Sequence, residues 1–386
     1  VPNIAGKYEI RYDVTDSHQS KVSITVPVTV LDKAEGECKV VRTIYAIPAM
    51  NNMKMVGTER CNAGDRQILG IYLEKDSTAQ VRVIDAPSNL TFTYFANNRA
   101  KNSYQTVKKD STDYQTIANS KNEDCVPLIT SPRLSEEVIN QTYKIELKFN
   151  SSAKALDYYH YKDSEDDFKN SWKESQNSYG VVDGEAIMCV VPFVDVDKLS
   201  NYTAPGYGNP YPSIDAFLEY YLEVVNRMDK MIGLEFDTDN PLDQNYRVKY
   251  TAVADSGVNA GAYYNGDFIA VCSNSIAPIF QYGWGTLHEI AHGYQGNLGR
   301  GANSLGSLYL NETGNNILAH YIQMDSTLYK KSDRYIGKLS KAENSKNATR
   351  KQKISSGEGI FNNKNGTYTN TAEKLYCLVN LLCKTI

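Results

Sequence analysis

The hydrophobic pattern changes period along this chain, and the changes divide it. Near the start, Tyr8, Ile10 and Tyr12 alternate with Glu9, Arg11 and Asp13. Val22, Ile24, Val26, Val28 and Val30 then alternate with Ser23, Thr25, Pro27 and Thr29. A period of two marks half-buried strands, and Asp16-Ser17-His18-Gln19-Ser20 between them is turn material. Two strands are not stable alone, so residues 1–33 read as the closing hairpin of a module cut at its start. Residues 34–157 read as all-β. Strands are expected at Ile68–Leu73, Ala79–Ile84, Thr91–Phe95 and Thr142–Phe149, with the polar stretch 96–120 as a separator. Short alternating strands between turn-rich segments are the signature of a sandwich.

From residue 158 onward helical spacing enters. Ser164–Lys173 sets Phe168 and Trp172 on one helical face, as core. Glu185–Pro192 reads as an apolar strand and 202–211 as a Tyr-, Gly- and Pro-rich loop. Ser213 is a good N-cap. After it, Ile214, Phe217, Leu218, Tyr221, Val224, Val225, Met228 and Ile232 recur at helical spacing until Gly233. Tyr246–Ala254 reads as a strand. Asn259–Tyr264 and Phe268–Cys272 flank Asn265-Gly266, the strongest short hairpin signal. The expected class is therefore α+β and multidomain, with β-rich residues 34–157 followed by a mixed domain at 158–386.

The chemistry lies in Trp284 to Gly296, W-G-T-L-H-E-I-A-H-G-Y-Q-G, which holds His288-Glu289-Ile290-Ala291-His292. Residues four apart share a helix face, so His288 and His292 can offer two imidazole nitrogens to one metal ion. Glu289 stands beside them, where it can take a proton from a metal-activated water. The chain has only five histidines, and Leu287, Ile290 and Ala291 make the helix largely buried. Buried imidazoles and a buried carboxylate are costly without partners; a zinc ion would supply them.

A catalytic zinc takes three protein ligands and keeps one open position. The metzincin pattern needs Gly at 295 and His at 298, where this chain has Gln295 and Leu298. A glutamate on a following helix is the other common third ligand. Glu312 opens an apolar stretch running to about Met324, after a Gly-rich loop from Gly293 to Gly306. Asn316, on the same face as Glu312, would accept the free N–H of a histidine ligand and fix its ring. Tyr309, His320 and Tyr321 are candidate donors to a developing oxyanion, and His320 reads first as a structural histidine.

The segments W-G-T-L-H-E-I-A-H-G-Y-Q and N-E-T-G-N-N-I together resemble the enhancin-like, family-sixty metallopeptidases, gluzincin-type enzymes that attack mucins and other O-glycosylated proteins. His288, Glu289, His292 and Glu312 fall on the family pattern one by one, and the likeness extends upstream to about residue 60. The resemblance implies Zn2+, endopeptidase activity, a glycoprotein substrate and a β-domain packed on the catalytic part. It also implies a small β-sheet and a helical subdomain in the catalytic domain, with an edge strand pairing with substrate. That role is assigned to about Gly261–Tyr264, with Gly261, Ala262 and Tyr263 as substrate-binding residues, although a plain structural hairpin reads as well. Residues 1–33 resemble the last hairpin of a bacterial Ig-like surface module. A zinc-bearing, adhesin-like glycoprotein-binding module without turnover is the alternative, disfavoured because a pure binder has no need of Glu289. A zinc hydrolase acting on a non-peptide bond is the other.

Composition trims the remaining choices. The net charge of −4 argues against a nucleic acid or anionic membrane as partner. No run of apolar residues is long enough for a transmembrane helix. Seven cysteines, widely spaced, argue for buried free thiols over a disulfide framework or a cysteine metal site; Cys38–Cys61 is the one pairing considered. Val1-Pro2 opens the chain without Met or signal peptide, and the amphipathic segment 372–385 ends it abruptly. The chain therefore reads as a fragment of a secreted or cell-surface bacterial protein, truncated near its end and acting as a monomer. Residues 330–356 read as a basic, solvated region.

Overall fold

The structure is a computed structural model that describes residues 6–15, 21–30, 38–48, 66–84, 88–109, 111–134, 142–149, 153–203, 209–231, 233, 249–266, 268–294, 311–329, 361–362 and 367–368. Gly6–Thr15 and Lys21–Val30 pair antiparallel, Gly6 opposite Val30 through Thr15 opposite Lys21. The expected helix at 372–385, the basic region 330–356 and Cys61 lie outside the described residues.

Two four-stranded sheets follow. One orders Gln115–Ile117, Ala79–Ile84, Thr142–Phe149 and Cys38–Tyr45; the other orders Arg66–Ile68, Val126–Thr130, Leu90–Phe95 and Ser103–Val107. Strand alternation sends Val81, Val83, Ile145 and Leu147 of the first against Phe92, Tyr94 and Ile129 of the second, closing one core. The intervening residues of the second sheet, Phe95, Val126 and Leu128, face the opposite way. They meet Val181, Met188, Val190 and Val253 in another core.

Those partners belong to a six-stranded mixed sheet. Its strands are β1 (Tyr158–His160), β2 (Tyr179–Asp183), β3 (Ile187–Pro192), β4 (Tyr250–Ala254), β5 (Ala262–Tyr264) and β6 (Ile269–Val271), in the order β1-β2-β3-β4-β6-β5. Strands β3, β4 and β6 run parallel, and β5 returns antiparallel along β6 as the edge. The far face of this sheet, with Val182, Cys189, Val191, Ala252 and Ile269, packs on helices. A sheet covered on both faces needs apolar residues at every position, which is why Ile187-Met188-Cys189-Val190-Val191 shows no alternation.

Four helices matter here: α1 (Glu165–Ser175), α2 (Ile214–Met231), α3 (Trp284–His292) and α4 (Asn311–Met324). Helix α1 is capped by Ser164, whose side chain accepts from the Asp167 N–H, and carries Glu165, Asp166 and Asp167 in its first turn, where the helix dipole favours anions. Its Phe168 and Trp172 are buried. Ser213 caps α2 through the Ala216 N–H at 3.0 Å, and its apolar face packs in the same core as Leu287 and Ile290 of α3.

Two sequence expectations change. Ile68–Leu73 is not one strand: Arg66–Ile68 and Ile71–Leu73 lie in different sheets. The break is at Gly70, with φ +78°, where an added Cβ would stand 2.6 Å from the Arg42 guanidinium. The polar stretch 96–120 is not only a separator, because it contains the strands Ser103–Val107 and Gln115–Ile117. Their buried ends, Ser103, Val107 and Ile117, are too few to register as alternation. Cys125 and Cys189 are buried free thiols, as read, and Cys272 is a half-buried free thiol. The chain leaves the sandwich at Ala153–Ala155, paired with Ile71–Leu73, and enters the central sheet at Tyr158.

Leu128 sits with no exposure between sandwich and central sheet. Leu128→Ala should cost about 2–5 kcal/mol in urea denaturation and keep one cooperative transition for residues 66–294. Separate early melting of the sandwich would contradict this shared core.

Candidate metal centre

Helix α3 is placed by its apolar side. Leu287, Ile290 and Ala291 have no exposure and pack toward the central sheet and α2. Two hydroxyls pin the helix. Tyr250 on β4 donates to the Ile290 carbonyl at 3.1 Å, and Tyr294, just past the helix, donates to buried Asp229 on α2 at 2.7 Å. Residues on the other side of α3 are thereby turned toward α4. They are His288, Glu289 and His292, at 8%, 6% and 8% exposure.

One donor atom from each of these three lies within 4.8 Å of the others, and Glu289 Oε2 is 3.8 Å from His292 Nε2. The Nδ1 atom of His288 lies 3.4 Å from Asn316 Oδ1. That same oxygen accepts from the Trp284 indole N–H at 2.9 Å, and a carbonyl oxygen has lone pairs for both. A proton on Nδ1 leaves the Nε2 lone pair free to bind elsewhere. The Trp284 ring, 4.5 Å from the His288 ring centroid, closes the same side.

The Nε2 atoms of both histidines converge on one amide. Asn315 Nδ2 stands 3.0 Å from His288 Nε2, and 3.0 Å and 3.4 Å from Nε2 and Nδ1 of His292, so it lies across the His292 ring. Two imidazoles and a carboxylate whose donor atoms lie within 4.8 Å of one another are a donor set that suits zinc. For both rings to hold a zinc ion, the Asn315 amide that stands against them would have to turn aside. The residues present fit a zinc ion on this chemistry.

Glu312 lies in the first turn of α4, three residues before Asn315 and four before Asn316, on the helix face that carries both. Its side chain lies outside the described residues. Tyr309 also lies outside them, His320 is half-buried and Tyr321 is 48% exposed. Tyr321 is five residues from Asn316, about 140° round the helix.

Edge strand β5 runs beside α3. The Tyr264 and His292 rings are parallel within 8°, their centroids 6.5 Å apart. Gly261 opens onto free space, with nothing within 4 Å of an added Cβ, and no described strand pairs with the outer side of β5. The Tyr263 side chain takes the other face of the sheet, where its hydroxyl donates to Asp255. Cys272 donates its N–H to the Gly261 carbonyl at 3.1 Å. Burial, then the charges of Asp255 and Glu289, push its thiol up, so it stays protonated at neutral pH.

Two residues here, Asn315 and Trp284, escaped sequence reasoning. Asn315 was one position from a residue already singled out, and its spacing of three from Glu312 was the available signal. Tyr264 was already the last residue of the expected edge strand, and period two sends it to the face opposite Tyr263. Trp284 begins the motif, but nothing in sequence paired its indole with Asn316.

The family described as peptidase M60, enhancin and enhancin-like, matches residues 155–384. No curated protein matches the chain. Among solved structures, a functionally unknown conserved protein of Bacillus anthracis str. Ames aligns with a TM-score of 0.56 at 14% identity, over 75% of this chain and 56% of that one. The catalytic module of the metalloprotease ZmpA from Clostridium perfringens aligns with a TM-score of 0.54 at 14% identity, over 73% and 57%. The M60 catalytic domain of ZmpC from the same organism, in complex with the sialyl T antigen, aligns with a TM-score of 0.52 at 13% identity, over 73% and 56%. The chain thus spans little more than half the length of these structures.

Asn316→Ala removes the acceptor that orients His288. Zinc affinity, read by competition with a fluorescent chelator, should fall about 10- to 100-fold while the helical circular dichroism signal holds. Unchanged affinity would contradict this role for the amide.

Proposed function

The chain belongs to the peptidase M60, enhancin and enhancin-like family, and from that membership we propose that it is a zinc endopeptidase of mucin-type or other O-glycosylated proteins. The observation that carries this reading is that His288, Glu289 and His292, all buried, bring donor atoms within 4.8 Å of one another.

In this reading His288, His292 and Glu312 hold Zn2+. When bound, zinc acts as a Lewis acid that polarises a carbonyl and brings the pKa of water toward neutrality. Glu289 is the general base: it takes the proton of the attacking water and later returns it to the leaving amine. Its burial keeps bulk water from competing for that proton. Asn316 and Trp284 hold His288 in the tautomer that leaves Nε2 available. The outer side of Ala262–Tyr264 pairs with the extended backbone of the substrate, and Gly261 lets that backbone approach closely.

The glycoprotein class is supported by the sialyl T antigen in the ZmpC complex. Such a substrate is extracellular, so a secreted or cell-surface location goes with it. No described helix is long and apolar enough to cross a membrane.

Glu289→Ala should retain one zinc per chain and its thermal midpoint, and lose mucin cleavage by at least about 10²–10⁴-fold in a gel assay. Chelation should abolish wild-type cleavage, and added zinc should restore it. A variant that cleaves mucin at the wild-type rate would refute the base assignment.

A further inference from the structure

A buried carboxylate outside the candidate centre ties three parts of the molecule together. Strand β4 ends in the turn Asp255-Ser256-Gly257, and the chain then leads to edge strand β5. A segment of the sandwich, Asn97–Arg99, closes over this turn. Both the N–H and the hydroxyl of Ser256 donate to the Asn97 carbonyl, at 2.8 and 3.0 Å. The Asp255 side chain has no exposure. Its Oδ1 accepts the Arg99 N–H at 3.2 Å and the Gly257 N–H at 3.0 Å. Its Oδ2 accepts the Tyr263 hydroxyl at 2.6 Å. The Arg99 guanidinium lies 5.6 Å over the Tyr263 ring, with Nε 3.9 Å from Oδ2. Gly257 is closed in as well: an added Cβ would stand 2.6 Å from Asn98 Oδ1.

A buried carboxylate is tolerated where several donors answer it. Here they come from the sandwich, the turn and the edge strand. Period two then matters. Tyr263 reaches down to Asp255 on one face of β5, and Tyr264 stacks on His292 from the other. Pairing with β6 holds one side of this three-residue strand, and these two side chains fix its faces.

We propose that Asp255 is a positioning residue for the substrate. Through Tyr263 and the Asn97–Arg99 segment it fixes the edge strand Ala262–Tyr264 against the zinc helix, so that an extended peptide added to that edge arrives in register with Glu289. The sandwich is then part of the peptide-binding apparatus rather than a spacer. The inference rests on the reading of β5 as the strand that takes substrate. Burial, then the hydrogen bond to Asp255, push the Tyr263 hydroxyl up, so it remains a donor across the neutral range.

The test uses the full chain with Tyr263→Phe, which deletes one hydroxyl, and Asp255→Asn, which keeps an acceptor oxygen. The probe is a quenched fluorescent peptide bearing one sialyl T glycan. In both variants amide exchange at residues 261–264 should rise about tenfold, with exchange in α3 and zinc stoichiometry unchanged. KM for the probe should rise about tenfold with kcat within about twofold. Glycopeptide binding, read by anisotropy in a Glu289→Ala background, should weaken by the same factor. Unchanged exchange and binding in Tyr263→Phe, or a loss confined to kcat, would overturn the proposal. A wild-type chain that binds but never cleaves the probe overturns the peptidase reading alone, because exchange and binding still decide the role of Asp255.

Discussion

His288, Glu289 and His292 are at most 8% exposed, and polar groups buried so deeply persist only where something answers their lone pairs and charge. Most of the surrounding structure can be read as a response to that demand. Asn316, itself held by the Trp284 indole, answers one nitrogen of His288, and Asn315 reaches the Nε2 atoms of both rings. Helix α3 tolerates this polar side because Leu287, Ile290 and Ala291 on its other side are fully buried and the Tyr250 and Tyr294 hydroxyls bolt it down.

The layered core explains why so short a helix can be held so firmly. Nine residues of α3 would be marginal in isolation. Here the helix rests on a sheet whose opposite face is covered by the sandwich. The sandwich therefore acts on the candidate centre from a distance, through side chains of the central sheet and through the Asp255 turn. A displaced sandwich would shift β4 and the edge strand together, because both are tied at Asp255 and Arg99.

Much of this was legible in the residues before any coordinates. The HExxH spacing, the apolar run Ile187–Val191, the amphipathic face of α2 and the Asn265-Gly266 hairpin each rest on a local signal. The turn at Gly266 has φ +87°, which is why glycine stands there. What escaped depends on contacts distant in sequence. Gly70 breaks a strand through its φ of +78°, and the Arg42 side chain that would meet a Cβ there comes from another strand, which no local pattern carries. Ser103–Val107 is a strand because Leu90–Phe95 pairs with it, although its own residues read as polar. One partner of Asp255, Arg99, lies 156 residues away in sequence. Asn315 was hidden differently, since an asparagine within a helix has many ordinary readings.

The account stands on the convergence of two rings and one following glutamate on a single cation. Zinc-edge anomalous diffraction from the zinc-loaded chain tests that most directly. One peak should lie between the Nε2 atoms of His288 and His292, at about 2.0–2.1 Å from each, with a Glu312 oxygen completing the protein ligands and the Asn315 amide turned away. A zinc peak bound elsewhere, or none there at saturating zinc with the two rings still hydrogen-bonded to Asn315, would contradict it.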